Sequence, residues 1–222
     1  MISAVIFDMD GVLINSEPLW KLAEQYAFAK VGLQLTDSLC SQTTGFDCKD
    51  TVAFWYAKQA WQDRSHAEII KDIEDFMLIA VQEKGVAMPG VFHALEYFKR
   101  KGFKLGLASS APLCLIKTVA KTLNIEKYFE VMHSSDDERA GKPDPAVYLK
   151  TAMRMGVKPE ECIAIEDSYR GVLAAHRAGM KVIAIPDKHL KGHEGFTRVN
   201  LLLNSLEEVN DETLEMIRSE IG

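Results

Sequence analysis

The sequence predicts an α/β fold: a parallel sheet covered on both faces by helices, interrupted after its first strand by an inserted helical domain. Three observations carry this. An apolar run, Ala4 to Phe7, opens the chain and stops at Asp8, Met9, Asp10 and Gly11. From about residue 85 onward, short apolar runs alternate with amphipathic helical patterns, the rhythm of repeated strand, helix and strand. Between 16 and 84 that rhythm stops and only helical patterns remain.

Taken in order, Ala4 to Phe7 is uniformly apolar and reads as a strand buried on both faces. Helices are expected from near Ser16, with Pro18 in the first turn, from near Asp47 and from near Ser65, with Gly32 and Gly45 as breakers. Val91, Ala94, Leu95 and Phe98 recur at helical spacing, and Gly102 ends that helix before a strand at 104–108. A helix follows Pro112; an apolar patch at 129–132 precedes the helix begun after Pro145, which Gly156 closes. Strands at 162–165 and 181–185 flank a helix at 169–178 ending at Gly179, and 199–203 and 211–221 read as the last strand and helix. The core domain is therefore expected from 1–14 and 85–222 and the helical insert from 15–84, with a hinge at the crossings near Ile14 and Gly85.

The chain has 222 residues, 47% hydrophobic and 26% charged, with a formal net charge of -6, which suits one large or two smaller globular domains. It has no basic excess with which to grip nucleic acid, and no apolar run near the roughly 20 residues a bilayer span needs. Asp8 and Asp10 interrupt the N-terminal apolar run too early for a secretory signal, so a cytoplasmic protein is expected; a monomer is expected as well. Cys40, Cys48, Cys114 and Cys162 are scattered without a Cys-x-x-Cys pair and read as reduced packing residues, not a zinc or redox site. His189 and His193, four apart with Gly192 between them in a polar stretch, read as a solvated loop.

In an open parallel sheet, ligands bind beyond the carboxyl ends of the strands. At those ends the sequence places Asp8 and Asp10, then Ser109 and Ser110, then Lys142 ahead of the helix at Pro145, then Glu166 and Asp167. Each has an ordinary explanation taken singly: turn punctuation for the aspartates, helix capping for the serines, a solvated loop cation for Lys142, dipole partners for the last acidic pair. Their placement at successive strand ends argues instead for one crevice. Strand alternation sends Asp8 and Asp10 to the same side, an arrangement suited to a nucleophile beside a proton carrier. Up to four carboxylates answered by one lysine call for a divalent cation or for protonation. Hard oxygen ligands with no His or Cys favour Mg²⁺, which typically binds beside a substrate phosphate.

These residues resemble the haloacid dehalogenase superfamily, whose motifs read here as Phe7 to Val12, Leu107 to Ala111, Gly141 to Pro145 and Ile165 to Gly171. The resemblance spans essentially the whole chain and implies a Rossmann-like sheet with the insert as its cap domain. It implies Asp8 as nucleophile forming an aspartyl-phosphate, Asp10 as general acid and then base, and Ser109, Ser110 and Lys142 as phosphate-binding residues. It further implies Mg²⁺ held by the Asp8 carboxylate, the Asp10 main-chain carbonyl and Asp167, with Glu166 helping directly or through water. The second aspartate argues for phosphoryl rather than carbon–halogen chemistry, and no secure candidate for a phosphonatase's cap lysine is present.

Within the superfamily the sequence is similar to the branch of β-phosphoglucomutases and small sugar-phosphate phosphatases. Ser16, Glu17, Pro18, Leu19 and Trp20, with the aromatic run Phe54 to Trp61, resemble the caps of 2-deoxyglucose-6-phosphate and hexitol-phosphate phosphatases. The mutases carry a His at the position of Trp20 and an Arg shortly after the glycine matching Gly45, where this chain has Phe46, Asp47 and Cys48. A phosphatase acting on a sugar or polyol monophosphate is therefore expected, with Glu17, Trp20 and Gly45 as candidate substrate residues of the cap. For Trp20, Trp55 and Trp61, ordinary packing within a small domain is the favoured reading over direct substrate contact. The alternatives are a phosphosugar mutase and a catalytically silent phospho-ligand or partner binder, whose hallmark would be loss of Asp8, Asp10 or Lys142; all are present.

Overall fold

Six strands, all parallel, form one sheet among the residues that the computed structural model describes, which are 2–187, 192, 194–197 and 199–219. They are β1 (Ala4–Phe7), β2 (Lys104–Ser109), β3 (Val131–Ser134), β4 (Cys162–Glu166), β5 (Lys181–Ala184) and β6 (Leu201–Leu202), in the spatial order β3-β2-β1-β4-β5-β6. The first strand thus lies in the interior, flanked by β2 with Phe7 opposite Leu107 and by β4 with Phe7 opposite Ile165. His189 and His193 lie outside the described residues.

Alternation along β1 divides the core. Ala4 and Ile6 face a cluster that includes Ala108, Cys162 and Ala164 from the neighbouring strands, Val147, Tyr148, Ala152 and Met155 at α7 (Ala146–Arg154), and Val172, Ala174 and Ala175 from α8 (Tyr169–Arg177). Phe7 meets Phe98 and Phe129 edge-on, with centroids 6.1 Å away in each case. Burial of each such aromatic or branched side chain contributes about 1.5–3 kcal/mol, which fixes the register of the strand. The sheet side chains against α7 are small, and at Gly106 a Cβ would approach Met155 Sδ to 2.6 Å, so the helix lies close to the strands.

Two edges differ from the sequence expectation. The strand expected at 129–132 is displaced to Val131–Ser134, because a 3-10 turn at Glu126–Tyr128 precedes Phe129 and that ring packs on Phe7. At the opposite edge the strand shortens from the expected 199–203 to Leu201–Leu202, flanked by Asn200 N and Leu203 N donating to Val182 O and Ala184 O, while Asn200 Oδ1 accepts from the Val182 amide. The cysteines are free; Cys40 and Cys162 are buried, whereas Cys114 is exposed and so is not a packing residue.

The chain divides into two compact units, Met1–Asn15 with Val86–Gly222, and Ser16–Gly85. In the first, Ile14 bridges to Ala87, Asn15 N donates to Val86 O and Met88 N to Leu13 O, so the segments at the two crossings are stitched side by side. The second is helical: α1 (Glu17–Ala29), the short α2 (Asp37–Cys40), α3 (Cys48–Lys58) and α4 (His66–Lys84). The sequence explains the starts. Pro18 occupies the first turn of α1, Asp47 caps α3 by accepting from Asp50 N at 2.8 Å, and Ser65 with Glu68 forms a capping box for α4. Such caps contribute about 1 kcal/mol each. α1 packs on α4, and the residues they bury include Ala23, Ala27 and Phe28 on the first and Ile69, Ile73 and Met77 on the second.

Candidate active site

Because Ala4 and Ile6 face α7, alternation carries Asp8 to the same side, and the register places Glu166 beside it, one step past Phe7 and Ile165. Asp8 N donates to Ile165 O at 2.9 Å, which extends the ladder to the aspartate. Two acids on adjacent strands of a buried face are untenable without an answering charge. Lys142 supplies it: its Nζ donates to Asp8 Oδ1 at 2.7 Å, to Glu166 Oε1 at 2.6 Å and to Ala108 O at 3.3 Å. One ammonium therefore ties three neighbouring strands. Asp8, Lys142 and Glu166 expose only 7, 5 and 0% of their surface.

Lys142 reaches this position because its loop is held from behind. Arg170 Nε donates to Lys142 O and Arg177 Nη1 to Pro143 O, both arginines projecting from α8. On the other side Tyr148 of α7 donates its hydroxyl to Glu166 Oε1, with the Lys142 ammonium 5.0 Å from the ring centroid. Glycines make room for the acids: a Cβ at Gly171 would fall 1.9 Å from Glu166 Oε1, and one at Gly11, where φ is +70°, would fall 2.0 Å from Asp167 Oδ2.

Asp8, Glu166 and Asp167 each bring one carboxylate oxygen within 4.8 Å of the others. Burial, reinforced by Glu166 and Asp10, raises the Asp8 pKa to about 7 against the pull of Lys142. Asp167 is pushed well above the usual range by burial and then by the Asp8 and Glu166 charges. Burial alone would lower Lys142, but the two carboxylates outweigh it and hold the ammonium above its ordinary value. Two of the three carboxylates, Asp8 and Asp167, are thus held above their ordinary range beside one lysine, and this all-oxygen donor set suits a hard divalent cation such as Mg²⁺. The donor set fits the metal expected from the sequence.

The other expected residues are placed as follows. β1 ends at Phe7, so strand alternation does not extend to Asp10; half-buried, it bridges to Ile14, its carboxylate lies outside the oxygen cluster, and its charge acts on Asp8. Ser109 ends β2, buried, its Oγ accepting from Ala111 N at 3.1 Å, and the half-buried Ser110 follows. In the helical unit Glu17 is exposed and paired with Lys21 at 2.7 Å, Trp20 is half-buried, and Gly45 is exposed in a left-handed turn at φ +82° ahead of α3. Trp55 and Trp61 are buried, with Trp61 Nε1 donating to Arg64 O. Sequence reasoning did not find Tyr148, nor the clearance that Gly171 provides; the glycine stood within the quoted acidic motif, whereas nothing local marked the tyrosine.

Comparison with known proteins identifies the family. A family model described as haloacid dehalogenase-like hydrolase matches residues 5–185. Hexitol phosphatase B of Escherichia coli O157:H7 is 35% identical over 214 residues, covering 96% of each chain. The phosphorylated carbohydrates phosphatase of Thermotoga maritima is 36% identical over 187 residues, 81% of this chain and 83% of that one. Among solved structures, CbbY from Rhodobacter sphaeroides in complex with phosphate superposes with a TM-score of 0.86 at 26% identity, over 94% of this chain and 96% of that one. With the family model spanning most of the sheet and both acidic motifs, the chain belongs to the haloacid dehalogenase-like hydrolases.

Proposed function

We propose that the protein is a Mg²⁺-dependent phosphatase that hydrolyses a sugar or sugar-alcohol monophosphate through an aspartyl-phosphate on Asp8. The single observation that carries this is the convergence of Asp8, Glu166 and Asp167 with Lys142 bonded between two of them at the strand ends. The phosphatases of hexitols and phosphorylated carbohydrates among its relatives support the substrate class.

A carboxylate brought to about 3.3 Å from a phosphate dianion is repelled by roughly 10 kcal/mol at an effective dielectric near 20. Mg²⁺, held by the Asp8 carboxylate, the Asp10 main-chain carbonyl and Asp167 with help from Glu166, would supply the screening charge and polarise the phosphoryl oxygens. Asp8 attacks phosphorus and the ester oxygen departs with a proton from the Asp10 carboxyl. Asp10, now ionised, takes a proton from the water that hydrolyses the acyl phosphate, and Asp8 is regenerated. Lys142, Ser109, Ser110 and nearby amides hold the phosphoryl oxygens as charge redistributes. The Ser16–Gly85 unit serves as the cap that selects substrate, with Glu17, Trp20 and the Gly45 turn as its candidate residues.

A panel of hexose and hexitol phosphates, assayed with and without Mg²⁺ and including glucose 1-phosphate with a bisphosphate activator, tests this. Orthophosphate release that needs Mg²⁺ is the expected result. Transfer of phosphate between hydroxyls without release overturns it in favour of a mutase, and no turnover of any compound overturns the enzyme reading itself.

A further inference from the structure

The fully buried Tyr148 is used by none of the steps above, yet its hydroxyl lies among the groups that perform them. It donates to Glu166 Oε1 at 2.5 Å and sits 3.4 Å from Lys142 Nζ. That same Oε1 accepts from Lys142 at 2.6 Å, so one carboxylate oxygen carries two donors, one charged and one neutral. Its partner Oε2 is met by Ser168 Oγ at 3.2 Å, and Gly171 closes the remaining side. Glu166 is thereby fixed at both oxygens, and Lys142, whose ammonium is shared between Glu166 and Asp8, inherits that fixation.

A core tyrosine whose hydroxyl served packing alone would need only some acceptor. This one is aimed at the oxygen that orients the lysine, whereas the other buried hydroxyl of the helix, Thr151, donates to the helix's own backbone at Val147 O, 2.7 Å away. We propose that Tyr148 is a positioning residue: its hydroxyl holds Glu166, and through Glu166 holds the Lys142 ammonium in the place where phosphoryl charge develops. This rests on the phosphatase reading given above. An ammonium loosened on its carboxylate still meets the ground-state phosphate, so the loss falls on kcat and not on KM.

The test uses Tyr148→Phe, which keeps the ring, alone and combined with Glu166→Gln, assayed on p-nitrophenyl phosphate with Mg²⁺. Removal of one charge-assisted hydrogen bond predicts a kcat lower by roughly tenfold with KM within about twofold. In the Glu166→Gln background the same change should alter kcat by less than about twofold, because the group it acts through is already altered. A wild-type kcat in Tyr148→Phe, a rise in KM as large as the fall in kcat, or an equal loss in both backgrounds overturns the proposal. A readout independent of activity and of the variant's folding is the Tyr148 hydroxyl proton in metal-free wild-type protein. Bonded to Glu166 it should exchange slowly enough to appear in the NMR spectrum, and absence of that resonance overturns the proposal. Should the wild-type protein prove inactive on every phosphate ester, the phosphatase reading fails, while the hydroxyl resonance still decides whether Tyr148 holds Glu166.

Discussion

The core and the helical unit each bury a carboxylic acid whose pKa stands near 7, and they do so in opposite company. Asp8 is raised to about 7 by burial and by Glu166, with a lysine bonded to it at 2.7 Å and a second and third acid in reach. Glu24 of α1 is raised to about 7 by burial, with the Thr43 hydroxyl donating to it at 3.0 Å and a further hydrogen bond from Cys40. Lys21 acts on Glu24 only through space. Desolvation dominates both shifts, so a raised carboxyl is not by itself the mark of a working site. The mark is the surplus of like charges kept together around one cation, an arrangement that packing gains nothing from and that a bound divalent cation would relieve.

The comparison can be broken most sharply at Asp8. Asp8→Asn should lower turnover by at least about a thousandfold, while thermal melting of the metal-free variant stays at or above the wild-type value because one of the crowded charges is gone. Lys142→Met comes next: with two carboxylates left unanswered, denaturant unfolding should register a loss of about 3–5 kcal/mol. Added Mg²⁺ should raise the melting temperature of that variant more than that of the wild type.

Glu24 offers the contrasting measurement. Its folded pKa of about 7 exceeds the 4.5 of an ordinary Glu, so the native state holds the proton more tightly than the unfolded chain does. Stability from this group is therefore fully present below about pH 4.5 and is lost as pH rises through 7, by up to on the order of 3 kcal/mol. Glu24→Gln should be the more stable protein at pH 8 and show a flatter stability profile between pH 4.5 and 8 in chemical denaturation. An unchanged slope would mean that Glu24 ionises normally. The smallest effect is steric. Gly171→Ala places a Cβ 1.9 Å from Glu166 Oε1 and should reduce kcat by roughly tenfold, whereas Gly32→Ala in the helical unit meets nothing within 4 Å. At Gly32 only the φ of +75° is strained, for about 1 kcal/mol of stability and no change in kcat.

The core was legible in the sequence because strand ends carry local signals. An apolar run halted by Asp8, or Cys162 to Ile165 halted by Glu166 and Asp167, announces both the strand and what lies at its mouth. Lys142 was legible through the motif it shares with Pro143 and Pro145, though its salt bridges to residues 134 and 24 positions away were not. Tyr148 was illegible for a physical reason: it stands on the buried stripe of α7 beside Val147 and Ala152, and only tertiary contact reveals where a core aromatic aims its hydroxyl. The pairing of Glu24 with Thr43, 19 residues apart, is hidden in the same way. Edge strands were the least legible, since β3 and β6 have a partner on one side only and their limits follow from the packing of Phe129 and the side chain of Asn200.

The bridge between Ile14 and Ala87 has a consequence for how such a chain diversifies. Departure and return of the helical excursion share one laced pair of segments, so the sheet experiences everything from Ser16 to Gly85 as though it were a short turn. Closing a longer loop at a point already pinned adds little entropic penalty. A shorter, longer or wholly unrelated insertion could be grafted there while Asp8, a few residues upstream, kept its neighbours, which on the phosphatase reading would let selectivity be rewritten without touching the chemistry.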